Sequence, residues 1–335
     1  MTLNISRLLI DSRSVDDPVT VRMLAALPGV ETTIMDDIDP SRVEGGPGAV
    51  VLTHLQGAFI KDFPVTPGAP PCGEKYIVTM ANCPFFCSYC YLQSYLEHDR
   101  ITVFTDTDRM KEEIAATISC DRPARMTTGE FGDSLALDSI TGITLDILPL
   151  FEGTGTILEV RTKSDSIDHL IPPAGDHLMM TWTLSPQEAI SREEPGTATL
   201  ARRLKSIEKA VRAGTRVSVR LDPVIPSYYT AESYFGLVRD IRAAAGKGGI
   251  RRFELGIVRF PPGLWEIAAG KKSGGRLIKG EYFNDLEGKK RYYRPERVRI
   301  YRELGMMVRE EFPEAAIELS MEDREVWEDA GITLQ

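Results

Sequence analysis

Three cysteines within eight residues are the part of this sequence best equipped to do chemistry. The stretch Cys83-Pro84-Phe85-Phe86-Cys87-Ser88-Tyr89-Cys90 spaces them as C-x3-C-x2-C. Three thiolates in so short a loop can each ligate a different iron of a four-iron cluster and leave the fourth iron open to a cofactor. The competing metal is zinc, which in structural sites takes four donors, commonly in paired C-x2-C or Cys/His units. Neither Cys72 nor Cys120 forms such a pair, and His54, His98, His169 and His177 show no ligand spacing. A redox C-x2-C pair would not need Cys83. The spacing therefore favours a [4Fe-4S] cluster, with zinc as the alternative. Tyr89 and Tyr91 flank Cys90, where they could shield a cluster, relay a hydrogen atom or simply pack into the core.

The elements that must position this loop read as an alternation. Lys75 to Met80 reads as a strand leading directly into the cysteines. A helix capped by Asp106 or Thr107 and running to Ile118 follows, then a strand at Arg125 to Thr128 and a helical stretch from Leu137 to Phe151. Thr156 to Arg161 and Leu178 to Leu184 read as further strands. Near Thr199 begins the best helix, whose stripe Leu200, Leu204, Ile207 and Val211 is expected to face the core. Next come a strand from Arg216 to Leu221 ended by Asp222-Pro223, a helix from Thr230 to Ala245 and a strand from Phe253 to Val258. A helix with Pro295 in its first turn and a last strand at Ala316 to Ser320 close the pattern. Ahead of the cysteines, Leu8 to Ile10 reads as a strand, Thr20 to Leu27 as a helix and Gly45 to Gly48 as a turn. Ala49 to Leu52 is an apolar run, and Pro64 to Pro71 reads as a linker. Such alternation implies a parallel sheet with right-handed crossovers, open or closed into a barrel. In these folds chemistry gathers at the C-terminal ends of the strands, where the cysteine loop falls.

Composition narrows the class. With 42% hydrophobic and 27% charged residues, the chain matches ordinary globular proteins. No apolar run approaches the roughly 20 residues of a membrane span, and the short Leu8-Leu9-Ile10 group, ended by Asp11, is no signal peptide. Five cysteines is an odd number, and their clustering points to a metal site in a reducing, cytoplasmic compartment rather than to a disulfide framework. The net charge of −9 is unevenly spread. Lys247 to Arg302 holds 15 Lys/Arg against 6 Asp/Glu, a balance of +9 that leaves −18 for the rest. That asymmetry suits an anionic partner on one face, or a solvated surface with chance clustering. Arg291, Tyr292 and Tyr293 sit in its centre, where cations interleave with aromatics as a phosphate-and-base surface would require.

C-x3-C-x2-C with an aromatic before the last cysteine resembles the signature of the radical S-adenosylmethionine superfamily. Within it, Cys90-Tyr91-Leu92-Gln93 is similar to the cluster loop of the spore photoproduct lyase family. So, in order, are Gly129-Glu130-Phe131-Gly132-Asp133-Ser134-Leu135, Arg161-Thr162-Lys163, Trp182-Thr183-Leu184-Ser185-Pro186, Glu194-Pro195-Gly196-Thr197 with Arg202-Arg203, Arg259-Phe260-Pro261-Pro262 and Arg291-Tyr292-Tyr293-Arg294-Pro295. The resemblance implies an α/β fold, a partial (β/α) barrel of the radical S-adenosylmethionine type over residues 71–250. A small N-terminal α/β unit over 1–70 precedes it, and a C-terminal extension over 251–335 completes the barrel. It implies a [4Fe-4S] cluster on Cys83, Cys87 and Cys90, with S-adenosyl-L-methionine on its open iron. Thr128, Gly129 and Glu130 would hold the methionine ammonium, which a backbone carbonyl and a carboxylate can both accept from. Lys163 and Ser185 would lie beside the nucleotide. For these the alternatives are a strand-end surface lysine and a helix N-cap, and Asp133 and Asp138 read equally as helix-start residues.

The family's activity is the repair of a thymine dimer in DNA by a radical lyase. Its product radical is quenched by a cysteine shortly after the second strand, and the matching stretch Thr127 to Asp133 contains none. Cys72 and Cys120 read as ordinary buried thiols. Three functions follow: a lyase on DNA, a radical enzyme on a peptide, tRNA or metabolite, and a non-enzymatic iron–sulfur or zinc protein. Either enzyme would draw its electron from a donor such as flavodoxin or ferredoxin.

Overall fold

The structure, a computed structural model, describes residues 5–44, 48–63, 66–70, 73–171, 175–270 and 274–333. Most of the expected Gly45 to Gly48 turn, both ends of the Pro64 to Pro71 linker and Cys72 lie outside the described residues. The chain divides into two compact units, one of Met1–Phe63, Gly73–Pro84 and Leu96–Met179, the other of Pro64–Cys72, Phe85–Tyr95 and Met180–Gln335. No helix among the described residues is long and apolar enough to cross a membrane.

The first unit holds two sheets. Strands β1 (Arg7–Asp11), β2 (Glu31–Met35) and β3 (Ala49–Thr53) belong to one of them, and β4 (Ile60–Asp62) and β5 (Glu74–Ile77) to the other. The first sheet also holds β6 (Met80–Ala81) and β7 (Ile101–Phe104), and the other also holds β8 (Arg125–Thr128) and β9 (Ile157–Thr162). In the first, β2-β1-β3-β7 run parallel and β6 pairs antiparallel with β7. In the second, β5-β8-β9 run parallel and β4 is antiparallel to β5. Every residue of β3 is buried, and its Ala-Val-Val-Leu-Thr run is the β-branched, apolar composition that two covered faces select.

The expected strand into the cysteines is thus two: β5 stops at Ile77 and the chain changes sheets at Val78 and Thr79. The helix Thr107–Asp121 forms, yet Asp106 makes no side-chain cap; its carboxylate instead accepts from the Leu55 amide and Arg109. This helix buries Thr107, Met110, Ile114 and Ile118. Cys120 lies on the other face and is exposed, against the expectation of burial. The stretch Leu137 to Phe151 is not one helix but three short turns, Asp138–Thr141, Ile143–Ile147 and Leu148–Phe151. Gly142 breaks it with a φ of 68°.

The second unit carries β10 (Leu178–Thr183), β11 (Arg216–Val224), β12 (Ile250–Ile257) and, after the antiparallel trio β13 (Arg259–Phe260), β14 (Tyr282–Asn284) and β15 (Lys290–Tyr292), the last strand β16 (Ala316–Leu319). Their order is β10-β11-β12-β16, with β11, β12 and β16 parallel. Asp222-Pro223 does not end β11: the register shifts there and pairing resumes when the Val258 amide donates to the Val224 carbonyl, 2.9 Å. A bulge is where a strand can admit a residue lacking an N–H. The helix Leu200–Arg212, capped by Thr199, buries Arg203, Ser206, Ile207 and Ala210. Of the expected stripe only Ile207 is fully buried, because Arg203 rotates the inward face toward a carboxylate.

Candidate active site

The cysteine loop leaves β6 through Asn82, which adopts a φ of 65° and whose side-chain amide donates to the carbonyls of His98 and Arg100 at 2.8 and 2.9 Å. Asn tolerates this conformation better than larger residues do. Cys83 and Cys90 are half-buried, Cys87 is buried, and none of the three is in a disulfide. The Cys90 amide donates to the Cys87 carbonyl, 3.1 Å, and the Gln93 side chain donates to the carbonyls of Cys87 and Cys90. Gln93 therefore ties the Cys87 and Cys90 carbonyls together, a role that the sequence did not signal. Three soft thiol donors on one tight loop fit a cluster that takes one thiolate on each of three irons. Among the described residues no three His, Cys, Asp or Glu side chains lie close enough to hold a single metal ion. The histidines serve local pairs instead, such as His54 with Asp17 at 2.9 Å and His169 with Asp138 at 2.7 Å.

Tyr89 is partly buried, and its hydroxyl donates to Glu194. Burial, with the Glu194 charge next in size, pushes its phenol well above the ordinary range. Glu194 is paired with Arg203 at 2.5 Å, and both side chains are out of solvent. Arg203 also donates to the carbonyls of Thr183 and Ala198 and to Thr197 Oγ1. The neighbouring Ser88 amide donates to the Glu193 carbonyl, 2.8 Å. The loop between Cys87 and Cys90 is thus pinned to a buried ion pair whose members sequence reading noted only as family-like. Tyr89 and Tyr91 both pack against a buried apolar cluster that includes Val258, Phe260 and Leu264, and Tyr91 meets Tyr95 edge-on at 6.0 Å.

At the C-terminal edge of the first unit's second sheet, Thr128, Gly129, Glu130 and Lys163 stand together, since β8 and β9 are adjacent and parallel. The turn after β8 is stitched to β9. The Ser134 amide donates to the Arg161 carbonyl at 3.1 Å, while Ser134 Oγ accepts from the Arg161 amide at 2.9 Å and from Thr128 Oγ1 at 2.8 Å. Gly129 has a φ of 96°, and a Cβ there would stand 2.6 Å from Ser134 Oγ. Gly129→Ala is expected to cost about 1–3 kcal/mol of folding stability. Chemical denaturation checks it; an unchanged midpoint would mean that the turn relaxes freely.

Ser185 is buried beside Tyr234, whose phenol it pairs with. It is not a helix cap, because Pro186 occupies that position. Asp138 is the first residue of its short helix and accepts from the Thr144 amide. Arg291 turns inward, pairing with Glu322 at 2.9 Å and donating to the Met321 carbonyl. Glu322 also receives Arg297 at 3.1 Å and the Tyr301 hydroxyl at 2.9 Å. Tyr292 packs edge-on against Tyr282 at 5.2 Å, whereas Tyr293, Phe283 and Leu286 are exposed. Arg294 is matched by Glu325 and Asp329. Arg291, Arg294 and Arg297 of the basic segment are therefore answered by carboxylates of their own chain.

A family model described as spore photoproduct lyase matches residues 67–321, a span that takes in the cysteine loop, the turn after β8, Lys163, Ser185 and the β14–β15 hairpin. The chain belongs to the spore photoproduct lyase family. A spore photoproduct lyase of Geobacillus sp. (strain Y412MC61) is 23% identical over 225 residues, 64% of this chain and 65% of that relative. The match thus spans slightly less than two thirds of the relative's length. Among solved structures, spore photoproduct lyase complexed with dinucleoside spore photoproduct is 18% identical with a TM-score of 0.82, covering 96% of this chain and 100% of the other. A mutant of spore photoproduct lyase with bound AdoMet and dinucleoside spore photoproduct gives 16% identity and a TM-score of 0.75, covering 93% and 97%. At such identities the likeness is one of fold, and this chain has the fold of spore photoproduct lyase, as the resemblance implied.

Proposed function

We propose that this chain is a radical S-adenosylmethionine lyase that acts on a thymine dimer in DNA, as its family name describes. The observation that carries this reading is the family match across residues 67–321, which includes the thiol triplet Cys83, Cys87 and Cys90. When bound there, a [4Fe-4S] cluster would supply the electron for cleavage of S-adenosylmethionine to methionine and a 5′-deoxyadenosyl radical. The protein's own work is holding and orienting. Cys83, Cys87 and Cys90 would hold the cluster as thiolates, and its electron would come from an external donor such as flavodoxin or ferredoxin. Glu130 and the Thr128–Gly129 backbone accept from the methionine ammonium, and Lys163 and Ser185 hold carboxylate and ribose oxygens. Tyr89 and Tyr91 stand beside the loop as phenolic hydrogen donors. The hairpin β14–β15 offers Phe283, Leu286 and Tyr293 as an apolar, stacking-competent surface for an extruded base, with Arg291 and Tyr292 forming its root.

One observation favours a second reading, a radical enzyme on a peptide, tRNA or metabolite: Thr127 to Asp133 contains no thiol to return a hydrogen atom. One experiment separates them. Anaerobically reconstituted protein is given S-adenosylmethionine and a reductant, with and without dinucleoside spore photoproduct, and both 5′-deoxyadenosine and repaired thymine dinucleoside are assayed. The DNA reading expects both products together. 5′-Deoxyadenosine without repair would replace it by the second reading. No 5′-deoxyadenosine from a protein with full iron and sulfide would overturn both.

A further inference from the structure

We propose that Asp133 is a positioning residue that sets Lys163 against S-adenosylmethionine, acting through the backbone at the end of β9. The inference rests on the reading of Lys163 as a contact to that nucleotide and goes beyond it by naming what holds the lysine. Asp133 lies in the turn after β8 and is 7% exposed. Its Oδ1 accepts from the Leu135 amide at 3.0 Å and from Thr162 Oγ1 at 2.7 Å. Its Oδ2 accepts from the Lys163 amide at 2.6 Å. Thr162 Oγ1 in turn accepts from the Ser164 amide at 2.8 Å, and Ser164 Oγ from the Ser166 amide at 3.0 Å. The whole chain segment leaving β9 hangs from one carboxylate thirty residues earlier in sequence.

A turn of this kind needs only one acceptor, which Asn or Ser supplies without a buried charge. Burying an anion is costly, and burial pushes the Asp133 carboxyl up while these donors and the Lys163 charge pull it down. The second oxygen does something a turn does not require: it fixes the φ-side of Lys163. The Lys163 cation also contributes to the field at Asp133. The turn bearing Glu130 and the strand end bearing Lys163 are then one rigid piece. A nucleotide whose ammonium and carboxylate must both be met needs that separation preset.

Asp133→Asn tests this selectively. It keeps an acceptor for Leu135 and Thr162 but turns an amide N–H toward the Lys163 N–H. Affinity for S-adenosylmethionine is measured on anaerobically reconstituted protein by equilibrium dialysis and by the change that the nucleotide induces in the cluster's EPR spectrum. Asp133→Asn is expected to weaken binding about 10- to 100-fold, the scale of one hydrogen bond to a charged group. Lys163→Ala should do the same, and the double variant should be no worse than either single one. Amide exchange at Lys163 should quicken while that at Leu135 does not. Full affinity in Lys163→Ala would overturn the reading of Lys163 itself. Weakened Lys163→Ala with unaffected Asp133→Asn, or losses that add in the double variant, would overturn the positioning role alone. If Asp133→Asn does not fold, Asp133→Glu, which keeps the charge and displaces it by one methylene, takes its place in the same cycle.

Discussion

Cys87→Ser protein is expected to emerge from anaerobic reconstitution unable to cleave S-adenosylmethionine, a loss exceeding the roughly 100-fold that changes to a metal's outer-shell partners cost. The substitution is close to isosteric, and the contacts that shape the loop are made by the Cys87 carbonyl, which accepts from the Cys90 amide and Gln93. Fold and loop should therefore survive while the donor changes from soft sulfur to hard oxygen, a poor partner for an iron–sulfur cluster. Iron and sulfide content, the cluster's EPR spectrum and 5′-deoxyadenosine formation check it. Cys120→Ser is the control: that thiol is exposed on the outer face of its helix, and all three measurements should match the unaltered protein. A Cys87→Ser protein that cleaves at the normal rate would remove this cysteine from the ligand set.

Arg203→Ala is expected to destabilise the fold by about 3–5 kcal/mol, because it leaves the Glu194 carboxylate buried without its counter-ion. The Arg203 side chain has no solvent exposure and Glu194 has 1%, so water cannot readily take the cation's place. The guanidinium also satisfies the carbonyls of Thr183 and Ala198, and no shorter side chain reaches all of them. Denaturation by urea, followed by circular dichroism, gives the difference. The same substitution should loosen Tyr89 and with it the segment between Cys87 and Cys90. A loss below about 1 kcal/mol, the scale of an exposed pair, would show that the pair is open to solvent.

What the sequence made legible follows the range of the interaction that carries each feature. Local signals were read well. Thr199 caps its helix, Thr230 forms a capping box with Ser233, and Pro295 stands in the first turn of its helix. The cysteine spacing and the placement of Thr128 to Glu130 and Lys163 at strand ends were also legible, since they sit in short motifs. Features set by distant partners were not. Periodicity placed Leu200, Leu204, Ile207 and Val211 inward, yet Glu194 and two carbonyls draw Arg203 into the interior and turn the helix with it. Nothing local marks Asp222-Pro223 as a bulge rather than an end, and the single glycine at 142 was outweighed by the apolar, helix-like run around it. Asp133 read as a helix-start residue, because its partners at Thr162 and Lys163 are supplied by the neighbouring strand. The run from Lys289 to Arg294 looked like a phosphate-binding surface for the same reason: the carboxylates that answer it, Glu322, Glu325 and Asp329, lie about thirty residues on.

Glu322 gathers Arg291, Arg297 and Tyr301 at the root of the hairpin, and this has a consequence for how the protein would meet a polyanion. Cations already neutralised within the chain have few condensed counterions to displace from a duplex. Grip would then come mainly from unstacked bases lying against the exposed Phe283, Leu286 and Tyr293. Such a protein would scan intact double helix weakly and dwell where stacking is already broken, so that the damage itself, more than its flanking backbone, selects the site.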